Sequence, residues 1–157
     1  MTTDNIRLQL TRTVDSPRER VYEAWTRAEQ IQRWFSPSSA DHKVRSVKAD
    51  ARVGGRYRIQ TQKADGEFFT AVGTYREVQP PERLVFTWAW ETDGSGDEFG
   101  AVDPPETLVT LEFRARAKQT ELVLTHEKFA TTASRDGHER GWTELLNSLA
   151  AALEGKS

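Results

Sequence analysis

An α+β fold, in which a curved antiparallel sheet of about seven strands surrounds one long C-terminal helix and two short helices follow the first strand, is predicted by three observations. The first is the stretch Ser134–Glu154, where Trp142, Leu145, Leu146, Leu149, Ala150 and Leu153 recur at three- and four-residue spacing, so that a helix gathers them on one stripe. The second is a series of seven segments upstream in which apolar and polar residues tend to alternate, the period of half-buried strands. The third is the brevity of the turn-forming links between most of those segments, which suits antiparallel neighbours.

In chain order, Ile6, Leu8 and Leu10 alternate with Arg7, Gln9 and Thr11, which predicts a strand over residues 5–14. Asp15-Ser16-Pro17 then reads as a helix start, with Ser16 as cap, Pro17 at the first helical position and Glu19 in the first turn. Val21, Tyr22 and Trp25 form the apolar face of that helix. A second short helix is predicted over 28–35, where Ile31, Trp34 and Phe35 recur at helical spacing and Pro37 ends it. Strands follow over 44–49, 55–62, 67–78, 83–90, 107–115 and 121–127. The polar stretch 91–105, rich in Gly and Pro, is too long for a tight turn and is expected to be a mobile lid-like loop.

In the C-terminal helix, Ser134 is the expected cap, and Gly137 and Gly141 each cost about 1 kcal/mol relative to Ala. Gly141 is explained if it keeps the helix thin over a cavity. Alternation assigns the inner sheet face: Tyr57 and Ile59; Phe69, Ala71, Gly73 and Tyr75; Leu84, Phe86, Trp88 and Trp90; Val109, Leu111 and Phe113; Leu122, Leu124 and His126. This face is dominated by aromatic and aliphatic side chains.

With 157 residues the chain suits a single domain, 1–157, and 36% hydrophobic with 29% charged residues suits a water-exposed globular fold. A net charge of −2 leaves no overall basic excess for nucleic acid or anionic lipid, although locally dense Arg could form a patch. The absence of Cys excludes disulfides, thiolate nucleophiles and thiolate metal sites, and fits a reducing cytoplasm. The N-terminal MTTDNIRLQL lacks the features of an export signal, and no stretch reaches the roughly eighteen apolar residues of a membrane span, so membrane insertion is not expected.

Four linked motifs carry a resemblance. Asp50-x-Arg52-Val53-Gly54-Gly55-x-Tyr57, Gly73-Thr74-Tyr75-x-Glu77-Val78, Pro81-Glu82-Arg83-Leu84 and Gly141-Trp142 together resemble the homologues of the activator of heat-shock protein 90 ATPase, C-terminal domain. That family belongs to the START-like, SRPBCC or Bet v 1-like superfamily, and the resemblance extends from about residue 6 to residue 154. It implies a helix-grip fold with an apolar cavity between the sheet and the last helix, lined by Trp34, Tyr57, Phe86, Trp88, His126 and Trp142. It also raises a chaperone partner. That partner is not favoured, because the authentic activator carries an additional N-terminal domain whereas one fold takes up all 157 residues here.

The expected ligand is a small hydrophobic molecule, and the candidate ligand-binding residues are Trp34, Tyr57, Phe69, Phe86, Trp88, Trp90, Leu111, His126, His138, Gly141, Trp142 and Leu145. His138 precedes Trp142 by one helical turn, so His126 and His138 could reach one cavity as the acid and base of a cyclase or hydratase. Hydrogen-bonded histidines at a pocket edge are the favoured reading, and no catalytic residue is assigned. Gly54-Gly55 precedes no helix, so it reads as a turn or bulge before Tyr57 and not as a phosphate cradle. No cofactor or metal is assigned, since nothing in the spacing of His42, His126 and His138 favours a shared metal.

Overall fold

The computed structural model describes residues 6–35, 43–62, 66, 68–90 and 107–154. The chain runs β1 (Ile6–Val14), α1 (Arg18–Thr26), α2 (Ala28–Trp34), β2 (Lys43–Ala49), β3 (Arg56–Gln62), β4 (Phe68–Gln79), β5 (Arg83–Trp90), β6 (Thr107–Arg116), β7 (Gln119–Phe129) and α3 (Thr132–Glu154). The seven strands form one antiparallel sheet in the order β1-β7-β6-β5-β4-β3-β2. Strands β2 to β7 are thus a meander, and α1 with α2 carries the chain from β1 at one edge to β2 at the other.

Register shifts at Ile6/Leu8, Val44/Ser46 and Tyr75/Glu77 mark bulges, which bend strands and help the sheet curve around α3. The long helix lies along β1. Arg12 Nη1 donates to Asn147 Oδ1 at 2.5 Å, and the Asp15 backbone N–H donates to Glu154 Oε2 at 2.9 Å. Leu84, Leu111, Leu122, Leu124 and Leu149 are fully buried between sheet and helix, so the alternation in the sequence points the expected way. This is the helix-grip arrangement, and no helix among the described residues is long and apolar enough to cross a membrane.

Two helix starts differ from the expectation. Ser16 does not cap α1: Pro17 occupies the cap position, and the buried Ser16 Oγ makes no hydrogen bond among the described residues. Its backbone explains why, since the Ser16 N–H bonds the Val14 carbonyl at 2.8 Å and its carbonyl accepts from Thr120 Oγ1 at 2.7 Å, fixing Ser16 one position too early. Nor does Ser134 cap α3. The helix begins at Thr132, and Thr131 Oγ1 accepts the Ser134 N–H at 3.0 Å, leaving Ser134 buried in the first turn.

Close backbone approach requires glycine at two places. A Cβ on Gly55 would lie 2.0 Å from the Asp50 carbonyl oxygen, and one on Gly73 would lie 1.9 Å from that of Thr87 and 2.6 Å from the Tyr57 ring. The first closes the β2–β3 turn. The second lets the Tyr57 ring lie over its cross-strand partner Gly73, so that its hydroxyl donates to the Thr87 carbonyl on β5.

Candidate functional site

Aromatic side chains from both layers converge where α1, α2 and α3 face the β3–β5 part of the sheet. Trp25 comes from α1; Ile31 and Trp34 from α2, with Phe35 just after it; Tyr57 and Ile59 from β3; Tyr75 from β4; Phe86 and Trp88 from β5; and Trp142 from α3. These ten residues line a cavity of about 20 Å³. Eight of them are aromatic, and the rings meet edge-on or tilted: Trp25 to Trp34 at 4.7 Å, Trp88 to Trp142 at 5.0 Å, Tyr57 to Phe86 at 5.4 Å.

That space holds about one water molecule, whereas pockets that enclose organic ligands are roughly 300–1,000 Å³. The aromatic wall therefore fills most of the space between sheet and helices itself. A water there would find few partners, because the wall is largely apolar; burial, with Asp50 and Tyr22 adding, pushes the Tyr75 hydroxyl well above its ordinary value. The Trp25 indole N–H is buried and has no hydrogen-bond partner among the described residues.

The α2 wall is fastened at two points. Trp34 Nε1 donates to the Ala24 carbonyl at 2.7 Å, and Ser148 Oγ of α3 donates to the Trp34 carbonyl at 2.7 Å.

Of the residues singled out in the sequence, Trp34, Tyr57, Phe86, Trp88 and Trp142 meet at this cavity. His126, His138, Gly141, Leu111 and Leu145 are not among its ten lining residues. Leu111 and Leu145 are buried in the core, while Gly141 is half-buried on α3 with nothing within 4 Å of where a Cβ would stand. Phe69 and Trp90 lie on β4 and β5, but their side chains, His42, Pro37 and the 91–105 loop lie outside the described residues. Trp25, Ile31, Phe35, Ile59 and Tyr75 were not singled out as site residues, although each belongs to an apolar face that the sequence periodicity marks.

The two histidines are brought together, their rings 5.1 Å apart, behind Trp142. An indole N–H can only donate, so Trp142 Nε1, 3.0 Å from His126 Nδ1, requires that nitrogen to be unprotonated. The neutral ring therefore carries its proton on Nε2 and donates to Thr107 Oγ1 at 2.6 Å, and Thr107 in turn donates to the Trp88 carbonyl at 2.9 Å. Burial, with His138 adding, pushes His126 well below its ordinary value and keeps it neutral. His126 thereby holds Trp142 in the cavity wall. His138 Nδ1 donates to the Ser134 carbonyl at 2.8 Å, one turn back along α3.

Comparison with known proteins agrees with this architecture. No curated protein shows significant similarity to the chain. A solved protein of Chromobacterium violaceum is 27% identical, with a TM-score of 0.79 over 95% of this chain and 97% of that one. The AHSA1 protein of Silicibacter pomeroyi, 23% identical, superposes with a TM-score of 0.79 over 94% and 97%, and a Mycobacterium smegmatis protein, 19% identical, with 0.78 over 99% and 98%. The family model described as "Activator of Hsp90 ATPase homolog 1-like protein" matches residues 15–154, nearly the whole described fold, and the chain belongs to that family.

Proposed function

We propose that this chain binds a small, flat, largely apolar molecule that carries one hydrogen-bond acceptor, and that the aromatic cavity is the closed form of the site. The observation that supports this reading is the Trp25 indole N–H, buried with no acceptor among the described residues in the wall of an aromatic void. An unsatisfied buried donor costs about 1–3 kcal/mol, which an acceptor on a bound molecule would recover. When α2 moves outward, rings of the ligand take the place of its side chains against the sheet, so the exchange conserves most of the apolar burial. Cyclase- or hydratase-type catalysis gains no support from His126, whose two nitrogens are both engaged.

Four of the five tryptophans line the cavity, so intrinsic fluorescence is a direct readout. Titration with flavonoids, fatty acids and sterols, and with naphthalene against 2-acetylnaphthalene as a matched pair, is expected to give saturable quenching. The ketone should bind about tenfold more tightly than the hydrocarbon, an advantage that Trp25→Phe removes. Absence of a saturable response across the whole panel overturns the proposal. A chaperone-type partnership, which the family's description raises, gains no broad apolar docking face: among the described residues Val53 is the one large hydrophobic side chain left exposed.

A further inference from the structure

The outer face of the sheet is electrically divided. On the β4–β7 side, acids and bases alternate as neighbours: Arg83 pairs with Glu77 at 2.9 Å and Glu112 at 3.0 Å, Arg114 with Glu112 at 2.9 Å, and Arg116 with Glu121 at 2.7 Å. The β2–β3 hairpin at the far edge is different. Residues 43–62 contain six basic side chains and one acid, a net of +5 within a chain of net −2. The acid of this stretch, Asp50, pairs with Arg52 at 2.8 Å, and its remaining basic residues are Lys43, Arg45, Lys48, Arg56 and Arg58, of which Lys43, Arg45, Lys48 and Arg56 are exposed.

The strand register concentrates this charge. Val47 opposite Ile59 and Ala49 opposite Tyr57 face the core, so Lys48 and its partner Arg58 face outward directly across from each other, with Arg56 two residues along. The hairpin also ends in Val53, 69% exposed, between Arg52 and Arg56 in the chain. Its turn is held firmly: the Gly54 N–H bonds the Tyr75 carbonyl and the Tyr75 N–H bonds the Gly55 carbonyl, both at 2.9 Å.

We propose that the outer face and turn of the β2–β3 hairpin dock this protein on an anionic lipid bilayer, its lysines and arginines against the headgroups and Val53 in the interfacial zone. A cationic surface with a projecting apolar tip matches both halves of that environment. Nucleic acid matches less well, because single-strand binding draws on exposed aromatic stacking and the only aromatic ring of the hairpin, Tyr57, is buried. The inner face of this hairpin supplies Tyr57 and Ile59 to the cavity, so docking sets one wall of the cavity alongside the bilayer. The proposal does not depend on what the cavity binds.

Co-sedimentation of the purified protein with phosphatidylcholine vesicles, with or without about a third of phosphatidylserine, tests it. Binding is expected to the mixed vesicles alone and to weaken as salt rises. Each cation near the surface contributes about fivefold to partitioning, so the double reversal Lys48→Glu/Arg56→Glu should lose at least ~25-fold, and Val53→Asp severalfold. These side chains are exposed, and thermal melts of the variants should match the parent. The proposal is overturned by equal binding to both vesicle types, by no binding to the mixed vesicles at low salt, or by unchanged binding of the double reversal. Oligonucleotide binding that displaces vesicles and ignores Val53→Asp overturns it in favour of nucleic acid.

Discussion

Trp142 donates its indole N–H to Nδ1 of His126 at 3.0 Å, and that hydrogen bond fixes both the tautomer of the histidine and the place of the tryptophan in the cavity wall. Protonating His126 would set two N–H groups against each other, so the native state resists the proton that the unfolded chain accepts near pH 6.5. Above that pH both states are neutral and the group contributes no pH dependence. Below it the unfolded state binds more protons, so stability falls as pH falls, by at most about 1.4 kcal/mol per unit. Urea unfolding between about pH 7 and pH 5.5 should show this slope in the parent and lose it in His126→Gln. Equal slopes in the two proteins would contradict a buried neutral His126.

Gly73 and Tyr57 make a second pair. Because a Cβ at position 73 would meet the Thr87 carbonyl, a backbone atom that cannot swing aside, Gly73→Ala should cost at least about 2 kcal/mol. Tyr57→Phe keeps the ring over Gly73 and removes only the hydroxyl that donates to Thr87, so it should cost about 1 kcal/mol. Denaturant midpoints of the two variants measure the difference. A Gly73→Ala protein as stable as the parent would mean that β4 and β5 are not this close.

Alternation is enough to orient the strands, because one face of each is turned to the core under the helices and a slip of one residue would expose its core side chains at once. Phe86, Trp88 and Tyr57 are therefore legible as cavity residues from their positions along the strands. Trp25, Ile31 and Phe35 are legible only as members of an apolar helix face. Nothing local says that a helix inserted between β1 and β2 lands against β3 and β5, a contact set by the crossing of the sheet. The size of the void is not legible either, since it depends on how eight rings tilt against one another. Ser16 and Ser134 mislead for a simpler reason: serine near a helix start is a good cap in either of two adjacent frames, and Pro17 and Thr131 take those places.

Ser148 ties α3 to the α2 wall of the cavity. Its hydroxyl holds the Trp34 carbonyl at the end of α2, a bond that an outward movement of α2 breaks. Ser148→Ala should lower global stability by about 1 kcal/mol. It should also lower the cost of opening by the same amount, and so tighten binding of 2-acetylnaphthalene about fivefold. Reduced stability with unchanged affinity would show that ligand entry does not involve α2.

Gly141 tests the interior of α3. Glycine in a helix costs about 1 kcal/mol relative to alanine, and the two reasons for keeping it there predict opposite results. If a neighbour lay close, a new side chain would overpack the interface and cost about 1–3 kcal/mol. The structure instead leaves open space: nothing stands within 4 Å of a Cβ at this position, and the residue is half-buried. Gly141→Ala should therefore stabilise the protein by about 1 kcal/mol and raise the melting midpoint by about 2–4 °C. Because Gly141 is not one of the ten residues around the aromatic cavity, the affinity for 2-acetylnaphthalene should not change. A lowered midpoint would mean that a neighbour of α3 lies within reach of the new methyl group, and weakened binding at an unchanged midpoint would extend the ligand site along the helix to Gly141.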